Sequence, residues 1–292
     1  VTQDGLIAVT GATGAVGGRV AARLAEAGLA QRLVVRDPRR APLLPKAEVA
    51  EASYADAAAM RRALEGVGAF FMVSGAEDRD RLGQHKAAVD AAVEAGVERI
   101  VYLSFVAAAP ETTFTFGRDH YHTEVHIRAS GLGFAFLRDN WYQDMLPLMA
   151  GPDGVIRGPA GVGRVGAVSR DDVADAAAAV LLGGAEHDGR TYDVTGPEAI
   201  TLHEAAEELT RATGRPVTYH AETVEEAYSS RSGYGAPDWM VEGWVTSYAA
   251  MADGDLDVVS DAVRDLTGHA PATFAEFLSR HPESYRHLAE QG

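Results

Sequence analysis

Leu6-Ile7-Ala8-Val9-Thr10-Gly11-Ala12-Thr13-Gly14-Ala15-Val16-Gly17 is the stretch that decides the fold. A short apolar run ends at Thr10 and passes at once into three glycines spaced three apart, followed by the alanine-rich helical pattern Ala15 to Ala27, with Gly28 as its C-terminal cap. This strand–turn–helix order places backbone N–H groups at a helix N-terminus, where the helix dipole favours a diphosphate. Gly11 permits the tight turn, Gly14 a close approach of backbone to phosphate, and Gly17 close packing of helix on strand; each role needs the absence of a Cβ. A glycine triplet alone also fits an ordinary structural turn, and it is the flanking strand and helix that give this one its meaning. The expected dinucleotide contacts are Gly11, Ala12, Thr13, Gly14, Ala15 and Val16.

Working outward, the second strand, Arg32 to Arg36, ends in Val35-Arg36-Asp37, about 20 residues beyond the last glycine. An acid there binds the ribose hydroxyls of NAD, and an arginine accepts the extra phosphate of NADP. Both stand side by side. Arg36 comes first, with Arg39 and Arg40 close by, so NADP is favoured and NAD remains open. Ser53-Tyr54-Ala55-Asp56 either edges the adenine or supplies Asp56 as a helix cap. Val73-Ser74-Gly75 and Ser104-Phe105-Val106 close the fourth and fifth strands, and ligands of open parallel sheets bind at such carboxyl ends. Val73, Ser74, Gly75, Ser104 and Phe105 are therefore expected on the cofactor side of the cleft.

The chain has 292 residues, 47% of them apolar, which suits one cofactor-binding unit with a smaller appended lobe. Lys and Arg number 26 against 42 Asp and Glu, and the net charge of −16 argues against a nucleic-acid partner. Lys46 and Lys86 are the only lysines. The absence of cysteine excludes disulfides, thiolate nucleophiles and cysteine-ligated metals. No stretch approaches about 18 uninterrupted apolar residues, and no basic-then-apolar leader opens the chain, so the expected location is the cytoplasm, away from membranes.

Alternation of strand and helix through the first half predicts a Rossmann-type, doubly wound parallel sheet of α/β class. Further strands are expected at Ala47–Ala50, Ala69–Ser74, Arg99–Ser104 and Phe134–Arg138. Helices are expected at Asp56–Leu64, Arg79–Ala95 and Gly117–Ser130. Residues 1–150 form the NAD(P)-binding domain in this reading. Residues 151–292 form a smaller C-terminal α/β substrate lobe, some of whose segments return to the first domain. The lobe is read as Val165–Val168, a helix Asp171–Leu182, a strand Arg190–Val194, and a helix capped by Thr201 with Glu204 three residues on.

Thr10 to Gly17, Val35-Arg36-Asp37-Pro38, the run from Thr123-Glu124 to Tyr142, and Leu266-Thr267-Gly268-His269-Ala270-Pro271 followed by Phe274 to Leu278 together resemble the NmrA-like branch of the atypical extended short-chain dehydrogenases. The resemblance spans nearly the whole chain. It implies one of three functions: an NAD(P)H-dependent quinone or azo reductase, an NADP-sensing regulator without turnover, or a tailoring protein of aromatic polyketide pathways.

Short-chain dehydrogenases use a tyrosine followed four residues later by a lysine, because a phenol with a pKa near about 10 needs a neighbouring cation to work near neutrality. Pro42 and Leu82 stand four residues before the two lysines, so that pair is absent. Where the resemblance places it stand His120 and Glu124, on one helical face. They are read either as a proton-shuttling pair or as an ordinary surface pair. A quinone becomes aromatic on accepting hydride and leaves only a modestly basic phenolate, so it tolerates the loss of the acid better than a simple ketone does. A quinone-like or conjugated aromatic acceptor follows.

Asp139-Asn140-Trp141-Tyr142 follows the sixth strand, and the resemblance puts it at the nicotinamide end; Trp141 and Tyr142, with Trp239, are candidates to bound a flat substrate, or plain core. Ser104 reads as a substrate-orienting hydroxyl or a turn serine. His120, His122 and His126 point along divergent faces of a helix, and no metal is expected there. Met240, Trp244, Tyr248 and Met251 form one stripe on a helix beginning near Pro237, read as core or as a lid hinged at Ser229 to Gly235. A homodimer is left open.

Overall fold

The computed structural model describes residues 5–289. Strands β1 (Leu6–Thr10), β2 (Gln31–Val35), β3 (Ala47–Glu51), β4 (Val67–Val73), β5 (Arg99–Phe105) and β6 (Gly133–Asp139) alternate with helices α1 (Ala15–Glu26), α2 (Ala57–Leu64), α3 (Arg81–Glu94) and α4 (Thr115–Ala129). Then follow β7 (Val155–Gly158), β8 (Arg164–Val165), α5 (Arg170–Gly183), β9 (Arg190–Val194), β10 (Ile200–Thr201), α6 (Leu202–Thr213) and β11 (Thr218–Ala221). The chain continues with α7 (Val224–Arg231), α8 (Asp238–Ala252), α9 (Ala262–Thr267), α10 (Phe274–Arg280) and α11 (Arg286–Ala289).

The main sheet is wholly parallel, in the order β3-β2-β1-β4-β5-β6-β9. Its order reverses between β1 and β4, and a crevice opens there at the strands' carboxyl ends. Buried on both faces, the central strands read as near-continuous apolar runs: Phe70, Phe71 and Met72 of β4 are all fully enclosed. One face packs on α1 and α5 through Val20, Leu24, Val173 and Ala177; the other packs on α2, α3 and α4 through Met60, Leu64, Val89 and Ile127. Arg19 and Arg23 of α1 pair with Asp171 and Asp175 of α5, binding that late helix to the first one.

A second core gathers Leu146, Ile156, Leu209, Met251, Phe274 and Phe277. Its α6 begins with the capping box read from Thr201 and Glu204. The expected strand Val165–Val168 is reduced to Arg164–Val165, which pairs antiparallel with β10. Beyond it, Gly166 donates to the Leu256 carbonyl and lies so close to Val258 that a Cβ would stand 2.0 Å from its oxygen; this crossing segment takes the place of a strand partner. Among the described residues, no helix is long and apolar enough to cross a membrane.

The glycine turn has the geometry its sequence demands. Gly11 takes φ +66°, and a Cβ on Gly17 would lie 2.4 Å from the Gly11 oxygen and 2.6 Å from that of Thr10. Because the obstacle is backbone, Gly17→Ala is expected to lower the unfolding free energy by about 1–3 kcal/mol in urea titrations.

Candidate active site

Helix α1 leaves its N-terminus open. No side chain caps it at Gly14 and no acid occupies its first turn, whereas α5 is capped by Ser169 with Asp171 and Asp172 following, and α6 by its capping box. Thr13, Gly14 and Ala15 are exposed, while Ala12 and Val16 are buried as the hydrophobic underside of the turn. An uncompensated run of N–H donors in so acidic a chain fits a diphosphate. At the end of β2, Asp37 caps the next turn and accepts from Arg39 through both oxygens, at 2.9 and 3.0 Å, which holds its pKa below the usual carboxylate value. Arg36 is exposed and makes no side-chain hydrogen bond or ion pair among the described residues. The acid that would take ribose hydroxyls is thus engaged, and the cation that would take a phosphate is open. These residues fit a dinucleotide, with the balance toward the phosphorylated one.

The rest of the crevice is held by buried hydrogen bonds. Val73 packs over Gly11, and the Val73 N–H donates to the Thr10 hydroxyl at 3.0 Å. Tyr54 donates to the Val73 carbonyl at 2.6 Å, so its hydroxyl ties β4 to β1, and Asp56 caps α2 through the Ala59 N–H. Gly75 is gripped from both sides: its N–H donates to Nε2 of His85 at 2.8 Å, and its carbonyl accepts from Arg81 at 2.9 Å. Burial, aided by Arg81, pushes His85 down to about 3, and the neutral ring keeps its acceptor nitrogen for Gly75.

Sequence expectation and structure part at His120 and Glu124. Both are buried on α4, but they are not joined. His120 accepts from Arg81 at Nε2 (3.0 Å), which leaves the ring proton on Nδ1, facing the Tyr102 hydroxyl at 3.0 Å. Burial and then the Arg81 charge hold its pKa well below the ordinary value, so it lines the crevice as a neutral ring whose one N–H points inward. Glu124 instead accepts from Ser104 at 2.6 Å, from Arg138 at 2.8 and 2.7 Å, and from Arg128 at 3.1 Å. The two are therefore not joined as a proton-shuttling pair, and the hydroxyl of Ser104, wholly buried, is spent on Glu124. Four residues apart placed both side chains on the inner side of α4, where different tertiary partners claimed each. His122 is exposed, and His126 meets Asp90 at 2.7 Å on the surface.

From Ser74 and Gly75 a cavity of about 1020 Å³ runs outward between the sheet and the later chain. Phe105, Phe114, Phe116, Trp141 and Tyr142 line it from one side, and Trp244 and Tyr248 of α8 from the other. Trp141 meets Tyr248 edge-on with centroids 5.2 Å apart, and Trp244 donates to the Glu77 carboxylate at 3.2 Å, joining α8 to the loop after β4. Gly243 seats this helix: a Cβ there would stand 2.4 Å from the Phe116 ring. The stripe on α8 is divided, with Met251 in the second core and Trp244 and Tyr248 at the cavity. Trp239, an expected wall, packs on Phe116 behind the lining.

Two groups escaped the sequence reading. Arg81, 7% exposed, lies at the centre of the hydrogen bonds to Gly75 and His120, and no motif marks it. Asp139, 5% exposed, lines the cavity and accepts a short hydrogen bond from Tyr142. Burial drives its pKa up to about 7, against the opposing pull of Tyr142 and Arg170. Its place ahead of Trp141 and Tyr142 was the available signal. For Glu124, the geometry predicts a structural role: Glu124→Ala, which strands Arg138 beside a hole, is expected to cost about 3–5 kcal/mol in urea unfolding while leaving nucleotide affinity intact.

A family profile for NAD(P)H-binding proteins matches residues 11–183. Quinone oxidoreductase 2 of Escherichia coli (strain K12) is 34% identical over 94% of this chain and 98% of its own, and the NAD(P)H azoreductase of Xenophilus azovorans is 31% identical over 96% and 99%. Among solved structures, the Escherichia coli NADPH-dependent quinone oxidoreductase complexed with NADPH superposes with a TM-score of 0.86 at 33% identity, covering 94% of this chain and 99% of that one. Citrobacter triphenylmethane reductase superposes with a TM-score of 0.83 at 29% identity, covering 98% and 99%. With its uncapped glycine turn, its open arginine at the end of β2 and these likenesses along nearly its full length, the chain belongs to the NAD(P)H-binding family, in the NmrA-like quinone reductase branch of the atypical short-chain dehydrogenases.

Proposed function

We propose that this protein is an NAD(P)H-dependent oxidoreductase that reduces a quinone-like or conjugated aromatic acceptor, with NADPH the preferred donor. The observation that carries the reading is the aromatic-walled cavity that begins at Ser74 and Gly75, next to the strand end that covers Gly11. A reduced nicotinamide held at that end supplies hydride. The N–H groups from Thr13 to Ala15 would hold the diphosphate and Arg36 the ribose phosphate. Gly75, fixed by His85 and Arg81, keeps the floor of the cleft from shifting. Trp141 and Tyr248 offer faces and edges to a flat acceptor, and the apolar walls exclude water from the reacting carbons.

The relatives named as quinone and azo reductases support this acceptor class, since both kinds of molecule are planar and conjugated. A redox sensor without turnover has no need of a walled cavity of this size. In anaerobic assays that follow loss of reduced-nicotinamide absorbance, turnover with members of a quinone panel is expected; tight NADPH binding with no turnover on any acceptor overturns the enzyme reading. Arg36→Ala is expected to weaken NADPH binding about 10- to 100-fold, the worth of a charge-assisted hydrogen bond, with NADH binding unchanged by calorimetry. Equal losses for both nucleotides would remove Arg36 from that role.

A further inference from the structure

Reduction of a quinone needs a proton as well as a hydride, and the structure narrows the source. His120 turns its one N–H toward Tyr102, both Asn140 side-chain atoms are taken by Leu256 and Trp141, and Glu124 and Ser104 face each other inside the protein. Glu124 and Asp139 are both buried near the sheet end of the cavity, and their surroundings are opposite. Glu124 is neutralised by Arg128 and Arg138. Asp139 has no ion pair among the described residues; it accepts the short hydrogen bond from Tyr142 and one from its own backbone N–H, and both Asp139 and Tyr142 lie in the cavity wall. Environments that separate two carboxyl groups in this way assign one to structure and the other to acid chemistry.

Resting on the function proposed above, we infer that Tyr142 and Asp139 form a two-step proton relay to the reduced acceptor. With Asp139 protonated, its O–H donates to the phenol oxygen of Tyr142 and frees the phenol hydrogen for the cavity. With Asp139 ionised, that hydrogen is drawn back to the carboxylate. In the productive state the Tyr142 O–H bond breaks as an O–H bond forms on the acceptor oxygen, which carries the electron pair gained with the hydride. The Asp139 O–H bond breaks as the phenol is restored, and water returns a proton to Asp139 between turnovers. The groups acting on Asp139 are Tyr142 on its own loop, Arg170 from α5 and Arg81 from α3; Asp144 acts on Tyr142, and the neutral His120 from α4 lines the same cavity. Arg170 lies over the Tyr142 ring at 4.5 Å and is itself paired with Asp144 at 3.3 Å. Burial outweighs the two arginines and keeps the acid half-protonated at about 7, so the active form is lost as pH rises through that value.

A pair of acceptors separates the relay from the hydride step. A quinone consumes hydride and proton, whereas a cationic triphenylmethane dye is quenched by hydride alone. With NADPH, wild-type kcat on the quinone is expected to fall as pH rises through about 7 while kcat on the dye stays level. Asp139→Asn and Tyr142→Phe are each expected to lower kcat on the quinone about 10²-fold, the low end of general-acid contributions, and to abolish the pH step, with a much smaller loss on the dye. A wild-type profile in Asp139→Asn, or an equal loss on both acceptors, overturns the relay. If the wild type reduced neither acceptor, the oxidoreductase reading would fail instead. Infrared titration tests Asp139 independently of turnover: a carboxylic acid band that vanishes as pH rises through about 7 and is missing in Asp139→Asn supports it, and a carboxylate at all pH values overturns it.

Discussion

Helix α1 rests on the turn that precedes it with no room for even a methyl group, and this contact at Gly17 is the constraint on which the rest of the molecule depends. It draws the first turn of α1 against the carbonyls of Thr10 and Gly11, so the helix N-terminus lies at the sheet's switch point rather than above it. Everything downstream is arranged around that fixed pole. Val73 covers Gly11, Ser74 and Gly75 follow directly, and the walled cavity starts where they end.

Around this pole, charge is distributed by exclusion. A chain with 42 acidic residues places none in the first turn of α1, and it removes Asp37 from competition by binding it to Arg39. Arg81 does the equivalent work inside. Nearly enclosed, it binds a backbone carbonyl and a histidine nitrogen, and its charge adds to the burial that keeps His85 and His120 neutral. The interior near the sheet end of the cavity thereby sets a buried arginine near the Asp139 carboxyl group, with two neutral imidazoles packed around the arginine.

The periodic parts of the fold were legible in the amino-acid order because local chemistry determines them. Leu6–Thr10, Arg190–Val194 and the Thr201–Glu204 capping box appear as read. The glycine roles were legible because each depends on neighbours within a few residues. The cavity wall was not, because its partners come from far along the chain. His120 and Glu124 have the spacing of a pair, yet Arg81 and Tyr102 claim one and Ser104 and Arg138 the other. Trp239 and Trp244 are equally aromatic, yet Trp239 packs on Phe116 outside the lining while Trp244 lines the cavity. The acidity of Asp139 depends on burial, a property that no window of sequence displays.

The seat of α8 on Phe116, tied by Trp244 to Glu77 and by Thr246 to Thr115, has an evolutionary corollary. The nucleotide pole is assembled from the first 75 residues, while much of the opposite wall comes from later segments, α8 among them. Exchanging side chains along that helix can retune which molecules are admitted without disturbing the donor's berth. A lineage built on this plan can therefore diversify its diet while its redox currency stays constant.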